Sequence, residues 1–453
     1  MNLHFPQGYC ITLLLSCGLS TTTLAETPAN HSDVLTLHQA IHRTLQNNPQ
    51  LTAYPFYLRQ ADADKLQADI RPTPKVNLSA DNILGTGKKS GFDEAEITLS
   101  FSQTIELGNK RQSRYEFASG KQQQLQLEYD ITRLDTLAET SRRYYQLLAL
   151  QAKSELLEQR IQRERKALNV IEQRAYAGAV TQADVANMAL QLANSEAQQR
   201  QNQRNQQQAQ RRLSHMWLAN AEFVRVSGSL QNLPDLPSES ELEAKIDNGI
   251  NALQNESTLP DFRYQLAMQR LADQQLQLAQ ANGRSDLTVN AGIRQLEASG
   301  DQALVLGVSM PLAFDNPNRG RIARAKATQD LSLQQTEIKR QQLQLALADI
   351  QQKLTANLER ANTLQSKQIP LAETLLKHSQ KAYQQGRYSV LQWIDAQNQH
   401  FQLQLQLVDT RLTVFNQILE LERVLGQPIV SPVALSDNTQ SDTAQPDTAQ
   451  DKI

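Results

Sequence analysis

No proline lies between Pro74 and Pro234, and from 109 to 176 only Gly120 interrupts a run of helix-compatible residues. A stretch that long without a breaker has few folded outcomes. As one helix, at 1.5 Å per residue, it is about 100 Å long, far beyond the width of a small domain. Ile131, Leu134, Ala138, Ser141, Tyr145, Leu148 and Ala152 recur by threes and fours, the spacing of a coiled-coil seam. The small residues on that seam allow close neighbours. Over 319–383 the positions Leu343, Leu347, Ile350, Leu354, Leu358 and Ala361 repeat the pattern, and Pro370 is predicted to kink it. Gln, Ala and Leu are over-used, whereas 453 residues hold only 17 Gly and 15 Pro. That mixture favours long helices over a compact α/β arrangement.

The order helix, strand, loop, strand, very long helix, Gly-containing turn, helix occurs twice, roughly two hundred residues apart, which predicts two structural repeats. The first spans 26–230. A helix over 35–70 is stopped by Arg71-Pro72-Thr73-Pro74; a β-hairpin over 75–107, a long helix over 109–176 and a return helix over 182–217 follow. In the hairpin Val76, Leu78 and Ala80 alternate with Asn77, Ser79 and Asp81, and Ala95, Ile97, Leu99 and Phe101 with Glu96, Thr98, Ser100 and Ser102. The second spans 258–427: a helix over 259–280, a hairpin over 286–314, a long helix over 318–385 and a return helix over 389–425. Residues 231–257, with Pro234 and Pro237, form an equatorial linker between the repeats. The polar tail 428–453, with its repeated Asp-Thr-Ala-Gln, is predicted to be disordered.

Both long helices end in similar turns. Gly178 and Gly386 suit a left-handed residue just past a helix end, and Thr181 and Ser389 are N-cap types for the returning helices.

Residues 1–25 have the form of a secretory signal peptide, with an apolar run over 11–19 and Thr23-Leu24-Ala25 offering small residues at a cleavage site. Acylation of Cys17 after Leu14-Leu15-Ser16 is the alternative. Cleavage after Ala25 leaves a mature chain without cysteine, because both Cys lie in the leader. No later segment has the ~18–20 consecutive apolar residues of a membrane-spanning helix, so any spanning part must be made of strands. The strands, about 9–11 residues each, are long enough to cross a bilayer at a tilt. Four strands cannot close a membrane barrel, which needs at least about eight. Three chains would supply twelve, and the fold expected is mainly α with a shared 12-stranded β-barrel continued by a long α-helical barrel.

Asn48-Pro49-Gln50-Leu51, Arg71-Pro72-Thr73-Pro74-Lys75-Val76, Gln103-Thr104-Ile105-Glu106-Leu107-Gly108-Asn109-Lys110-Arg111, Met310-Pro311-Leu312 and Asn318-Arg319-Gly320-Arg321 together resemble the TolC-like outer membrane efflux protein family. Within it they resemble the heavy-metal (CzcC/CusC-like) branch. Asn109 stands where that branch usually has a second Gly. The resemblance implies a homotrimeric duct through outer-membrane lipid and periplasm of a Gram-negative bacterium. It would dock on a periplasmic adaptor and an inner-membrane pump of the resistance–nodulation–division (RND) type. The cargo implied is a heavy-metal cation, Co/Zn/Cd or Cu/Ag. It also implies that Gly178, Thr181 and Asp184 at the first turn, and Tyr383, Gly386, Arg387, Ser389 and Asp395 at the second, meet the adaptor and hold the pore closed. Asp184 with Tyr383 would be one closing link, and Asp395 a ring of carboxylates. Gln392 and Tyr388 depart from the residues some relatives carry.

Other signals lead elsewhere or nowhere. A net charge of −2 provides no basic field for nucleic acid. Gly85-Thr86-Gly87-Lys88-Lys89-Ser90 lacks the spacing of a phosphate loop. His38 and His42 are i,i+4 without the Glu of a metalloprotease helix, and the methionines form no thioether cluster for a soft metal. No catalytic constellation can be assembled, so neither enzyme nor cofactor is expected. The alternatives are a duct for multidrug efflux or type I secretion and, in a different class, a soluble periplasmic coiled-coil scaffold.

Overall fold

A computed structural model describes residues 34–220, 223–230, 239–252, 259–312 and 315–428. The leader with Cys17 and the tail from 429 onward lie outside these residues. In chain order the elements are β1 (Val34–Leu35), α1 (Leu37–Asn47), α2 (Pro49–Ala68), β2 (Lys75–Asp81), β3 (Glu96–Ile105), α3 (Lys110–Tyr176), α4 (Gln182–Ser214), β4 (Arg225–Val226), α5 (Glu239–Ala252), α6 (Pro260–Ala281), β5 (Leu287–Leu296), β6 (Gln302–Ser309), α7 (Arg319–Thr363), α8 (Ile369–Gln384) and α9 (Val390–Leu425). Among the described residues no helix is long and apolar enough to cross a membrane.

The single helix expected over 35–70 is two. Asn48 breaks it: its side-chain oxygen accepts from the amides of Gln50 and Leu51, and Pro49 takes the first helical position. The Asn48 amide also donates to the Met216 carbonyl at 2.8 Å, tying α2 to the end of the return helix. Leu35 is not helical. It belongs to a two-residue parallel pair, β1 with β4, clasped by the Tyr144 hydroxyl, which meets the carbonyls of Leu35 and Ser227 at 3.1 and 2.6 Å.

β2, β3, β5 and β6 form one antiparallel sheet in that order. The central pairing joins the hairpins of the two halves, Phe101 opposite Ala291 and Leu99 opposite Ile293. Because directly paired residues share a face, the register assembles one apolar face from Val76, Leu78, Ile97, Leu99, Phe101, Val289, Ile293, Leu304, Leu306 and Val308. The opposite face carries Asn77, Ser79, Glu96, Thr98, Ser100, Asn290 and Arg294. The apolar face is bare. Val76, Leu78, Leu304, Leu306 and Val308 are each 69–72 % exposed. β2 and β6, the two edges, have 7 and 8 residues, shorter than expected, whereas β3 and β5, paired on both sides, have 10.

Sheet and helices meet where the family-like motif lies. Gly108 and Asn109 are consecutive left-handed residues at φ 74° and 59°. Asn is the non-Gly residue that adopts this conformation most readily, which explains its place here. Asp286 then accepts from the Leu107 amide at 3.2 Å and the Lys110 ammonium at 2.7 Å, Arg111 pairs with Asp69, and Arg114 with Glu106. Gln103 donates to the Pro72 carbonyl. The strand therefore leaves the sheet in one fixed direction.

α3 has 67 residues and, at 1.5 Å per residue, is about 100 Å long. Gly120 on it is buried where α6 approaches; a Cβ would strike Gln274. One apolar cluster joins Tyr144, Tyr145, Leu147 and Leu148 of α3 to Leu213, Trp217 and Phe415, with Tyr145 stacked on Phe415 at 4.4 Å. A second joins Leu343, Leu347, Ile350 and Leu354 of α7 to Phe262, Val414 and Leu421. Of the α7 seam residues read from sequence, Leu343, Leu347, Ile350, Leu354 and Ala361 are buried, and Leu358 packs half-buried against the second cluster. Ile246 of α5 enters this cluster, so part of the expected linker is a packed helix. Pro370 is accommodated by a π-helical turn over Leu364–Gln368, where its missing N–H and ring would otherwise break the α-helical ladder.

Gly108→Ala should lower stability by about 1–2 kcal/mol, because it puts a Cβ in left-handed space and against Arg284. Asn109→Gly should change it little. Thermal unfolding in detergent checks both; equal losses would contradict the two-residue left-handed corner.

Candidate functional site

The two helical turns farthest from the sheet have the same construction. In the first, Gly178 takes φ 73°, the Ala179 amide donates to the Arg174 carbonyl and the Gly178 amide to the Ala175 carbonyl, each at 2.9 Å. In the second, Gly386 takes φ 73°, the Arg387 amide donates to the Ala382 carbonyl at 2.9 Å and the Gly386 amide to the Tyr383 carbonyl at 3.0 Å. Both are Schellman closures of a helix C-terminus. A capping box opens each returning helix. The Asp184 amide donates to Thr181 Oγ1 while Asp184 Oδ2 accepts from the Thr181 amide at 3.0 Å. Gln392 does the same for Ser389, its Oε1 accepting from the Ser389 amide at 2.9 Å. Either Asp or Gln can close such a box, so Gln392 in place of an acid keeps the turn intact.

Within one chain Asp184 and Tyr383 are not bonded to each other. The Asp184 carboxylate is engaged by Thr181, which also donates its hydroxyl at 2.8 Å. The Tyr383 hydroxyl is buried with no partner among the described residues. Tyr383 is 2 % exposed and lies in an apolar cluster with Ala167, Ile171, Met188, Val390, Trp393 and Ile394. Its ring stacks on Trp393 at 5.0 Å. Asp395 is exposed and accepts from Gln399 at 2.9 Å. Arg387 is also exposed.

Sequence reasoning missed two features here. Arg174, in the last turn of α3, reaches the second turn: its guanidinium donates to the carbonyls of Tyr383 at 2.9 Å and Gln384 at 2.7 Å. A basic residue near a helix end is a known signal for carbonyl capping, but the helix it caps is α8, more than two hundred residues on in the chain. The second is a buried polar node. Arg160 pairs with the fully buried Glu164 at 2.7 Å and donates to Asn398 Oδ1 at 2.7 Å, where Gln191 also donates. The node links α3, α4 and α9, and Arg160 lies over the Phe401 ring. Beside it, His400 is 5 % exposed. Burial, and then Arg163, hold its imidazole below the ordinary range; Glu373 acts the other way.

Among the described residues no three His, Cys, Asp or Glu stand together as a metal would require. Met188 lies in the turn cluster, Met216 in the cluster around Tyr144, and Met310 is exposed beyond β6. His42 contacts Gln46 at 3.3 Å.

Residues 40–217 match the family model described as outer membrane efflux protein. The cobalt-zinc-cadmium resistance protein CzcC of Cupriavidus metallidurans is 22 % identical over 433 residues, covering 94 % of this chain and all of that protein. Among solved structures, the outer membrane protein VceC of Vibrio cholerae superposes with a TM-score of 0.70 at 21 % identity, over 87 % of this chain and 96 % of that one. CusC, studied for its folding and transmembrane channel formation, superposes with a TM-score of 0.69 at 15 % identity, over 86 % of this chain and 92 % of that one. The fold is therefore that of these two structures.

Tyr383→Phe should leave stability unchanged or raise it by up to ~1 kcal/mol, because it removes a buried hydroxyl that the chain does not satisfy. A clear loss on thermal unfolding would show that the hydroxyl has a partner outside the chain. His400 has its folded pKa below its unfolded one, so its contribution is complete above the unfolded value. It is lost as pH falls through that value toward the folded one. Between about pH 7 and 5 the wild type should lose more stability than His400→Gln; parallel losses would contradict this.

Proposed function

Taking the chain as an outer membrane efflux protein, we propose that it forms the exit channel of a tripartite export pump and carries heavy-metal cations. The reading rests on the bare apolar face of the four-stranded sheet. A row of valine, leucine, isoleucine and phenylalanine side chains in open solvent is unfavourable, whereas against hydrocarbon it is the ordinary outer surface of a β-barrel. The opposite, polar face then lines water. The edges of β2 and β6 must also be paired, since free backbone N–H and C=O groups are untenable in lipid. Pairing β2 of one copy with β6 of the next keeps the antiparallel order, and three copies of a four-stranded sheet make a closed barrel of ordinary size. The helices, about 100 Å long, extend the duct through the periplasm of a Gram-negative cell. There the turns at Gly178 and Gly386 would meet an adaptor and, through it, an inner-membrane RND pump. Asp184, Arg387 and Asp395 are the polar groups available there for contacts between copies or with the adaptor. The channel performs no chemistry on its cargo and is not an enzyme.

The metal reading is supported by the full-length similarity to a cobalt-zinc-cadmium resistance protein. A deletion strain should be sensitised to a group of metals among Co, Zn, Cd, Ni, Cu and Ag, and plasmid-borne wild type should restore growth. Sensitivity to drugs and bile salts alone would keep the channel and overturn the metal cargo.

A further inference from the structure

The α3–α4 and α8–α9 hairpins end side by side, joined by the Arg160–Asn398 and Gln191–Asn398 hydrogen bonds and, nearer the turns, by two further contacts. The apolar cluster around Tyr383 is one of these, and Arg174 is the second. It sits in the last turn of α3, where its own carbonyl closes the first Schellman motif. Its side chain points away from that turn and into the next hairpin. One nitrogen reaches the Tyr383 carbonyl and another the Gln384 carbonyl. These oxygens belong to the last turn of α8, where carbonyls lack the regular i+4 partner; the Tyr383 carbonyl also accepts from the Gly386 amide at 3.0 Å. The positive charge also stands at the negative end of the α8 dipole. The guanidinium carbon lies 4.8 Å from the centroid of the Tyr383 ring, the ring that stacks on Trp393. Arg174 thus caps a foreign helix, and three favourable contacts converge on one half-buried side chain.

The arrangement is one-directional. By register of the two turns, with Gly178 matching Gly386 and Thr181 matching Ser389, the position equivalent to Arg174 is Ala382. α8 sends no cation back to α3. The second turn therefore receives from the first a side-chain cap added to its own Schellman closure.

We propose that Arg174 is a positioning residue that latches the α8–α9 turn to the α3–α4 turn of the same chain, so that the two move as one body while the latch holds. This rests on reading the turns as the closed end of the duct. Release of the guanidinium removes its hydrogen bonds to the Tyr383 and Gln384 carbonyls, uncovers the Tyr383–Trp393 stack and lets the α8–α9 turn swing independently. A planar fork can hold two carbonyls at once, whereas a lysine ammonium on a shorter reach meets one at best. Arg174→Lys should therefore retain part of the latch and Arg174→Gln none.

The test uses the full-length protein in detergent. Hydrogen exchange is followed by mass spectrometry over 383–392, over 174–185 and over the core segment 140–149. Trp393 emission is read in a Trp217→Phe background, which leaves one of the two tryptophans. Arg174→Gln should speed exchange over 383–392 about tenfold, the loss expected for charge-assisted hydrogen bonds, and leave 140–149 unchanged. Trp393 emission should shift to the red and become more accessible to acrylamide, with Arg174→Lys intermediate. Unchanged exchange over 383–392, or an increase confined to 174–185, would overturn the latch. If Arg174→Gln does not fold, Arg174→Lys decides by the same readouts. Planar-bilayer recordings separate this from the channel reading. Raised closed-state conductance of Arg174→Gln supports the latch as part of closure. No conductance from the wild type defeats the channel reading while the exchange data still decide the latch.

Discussion

A sheet that is apolar on one face, polar on the other and open at both edges governs the whole molecule. In water it is unstable twice over, through exposed hydrocarbon and through unpaired backbone edges. The proposed membrane setting resolves the first, and additional copies of the chain resolve the second. The junction at Gly108 and Asn109 then decides where the helices go. Two left-handed residues turn the strand, and Asp286 fixes both the Leu107 amide and Lys110 on the far side of the turn. A small error in that direction would grow along a helix of 67 residues and misplace the turns at its far end.

The helical part is stabilised unevenly along its length. Near the middle, large apolar clusters around Tyr145 and Leu347 hold α3, α7 and α9 together. Toward the far end the α3–α4 interface becomes polar: Gln199 donates to Ser154 and Glu158, Asn202 donates to the Leu150 carbonyl, and Arg160 and Glu164 are buried. A buried ion pair adds little net stability but is costly to break once formed. Such contacts specify one alignment of helices more than they add adhesion.

Much of this was legible in the residues because it is local. The Pro-free run, the three-and-four spacing of Leu343, Leu347 and Leu354, the period-2 hairpins and the Gly-then-Thr or Gly-then-Ser turns all lie within a few residues of their partners. The split at Asn48 also had a local signal, an Asn-Pro pair that caps one helix as another ends, but continuous helical spacing around it masked the break. What escaped was long-range. The β3–β5 pairing joins residues about 190 positions apart with no signal beyond compatible alternation. β1 and β4 have two residues each, too short for any period. Arg174 carries no local signal of its role because the carbonyls it caps belong to another hairpin. The buried Arg160–Glu164 pair has the i,i+4 spacing of any surface pair, and only the approach of Asn398 and Phe401 sets it apart.

The central claim is that one chain cannot complete its own sheet. Native mass spectrometry of the protein extracted from outer-membrane fractions tests it most directly. The account predicts release by detergent but not by high salt, and three copies per particle. A monomer freed from the membrane by a salt wash would contradict it, and would leave a soluble elongated scaffold in its place.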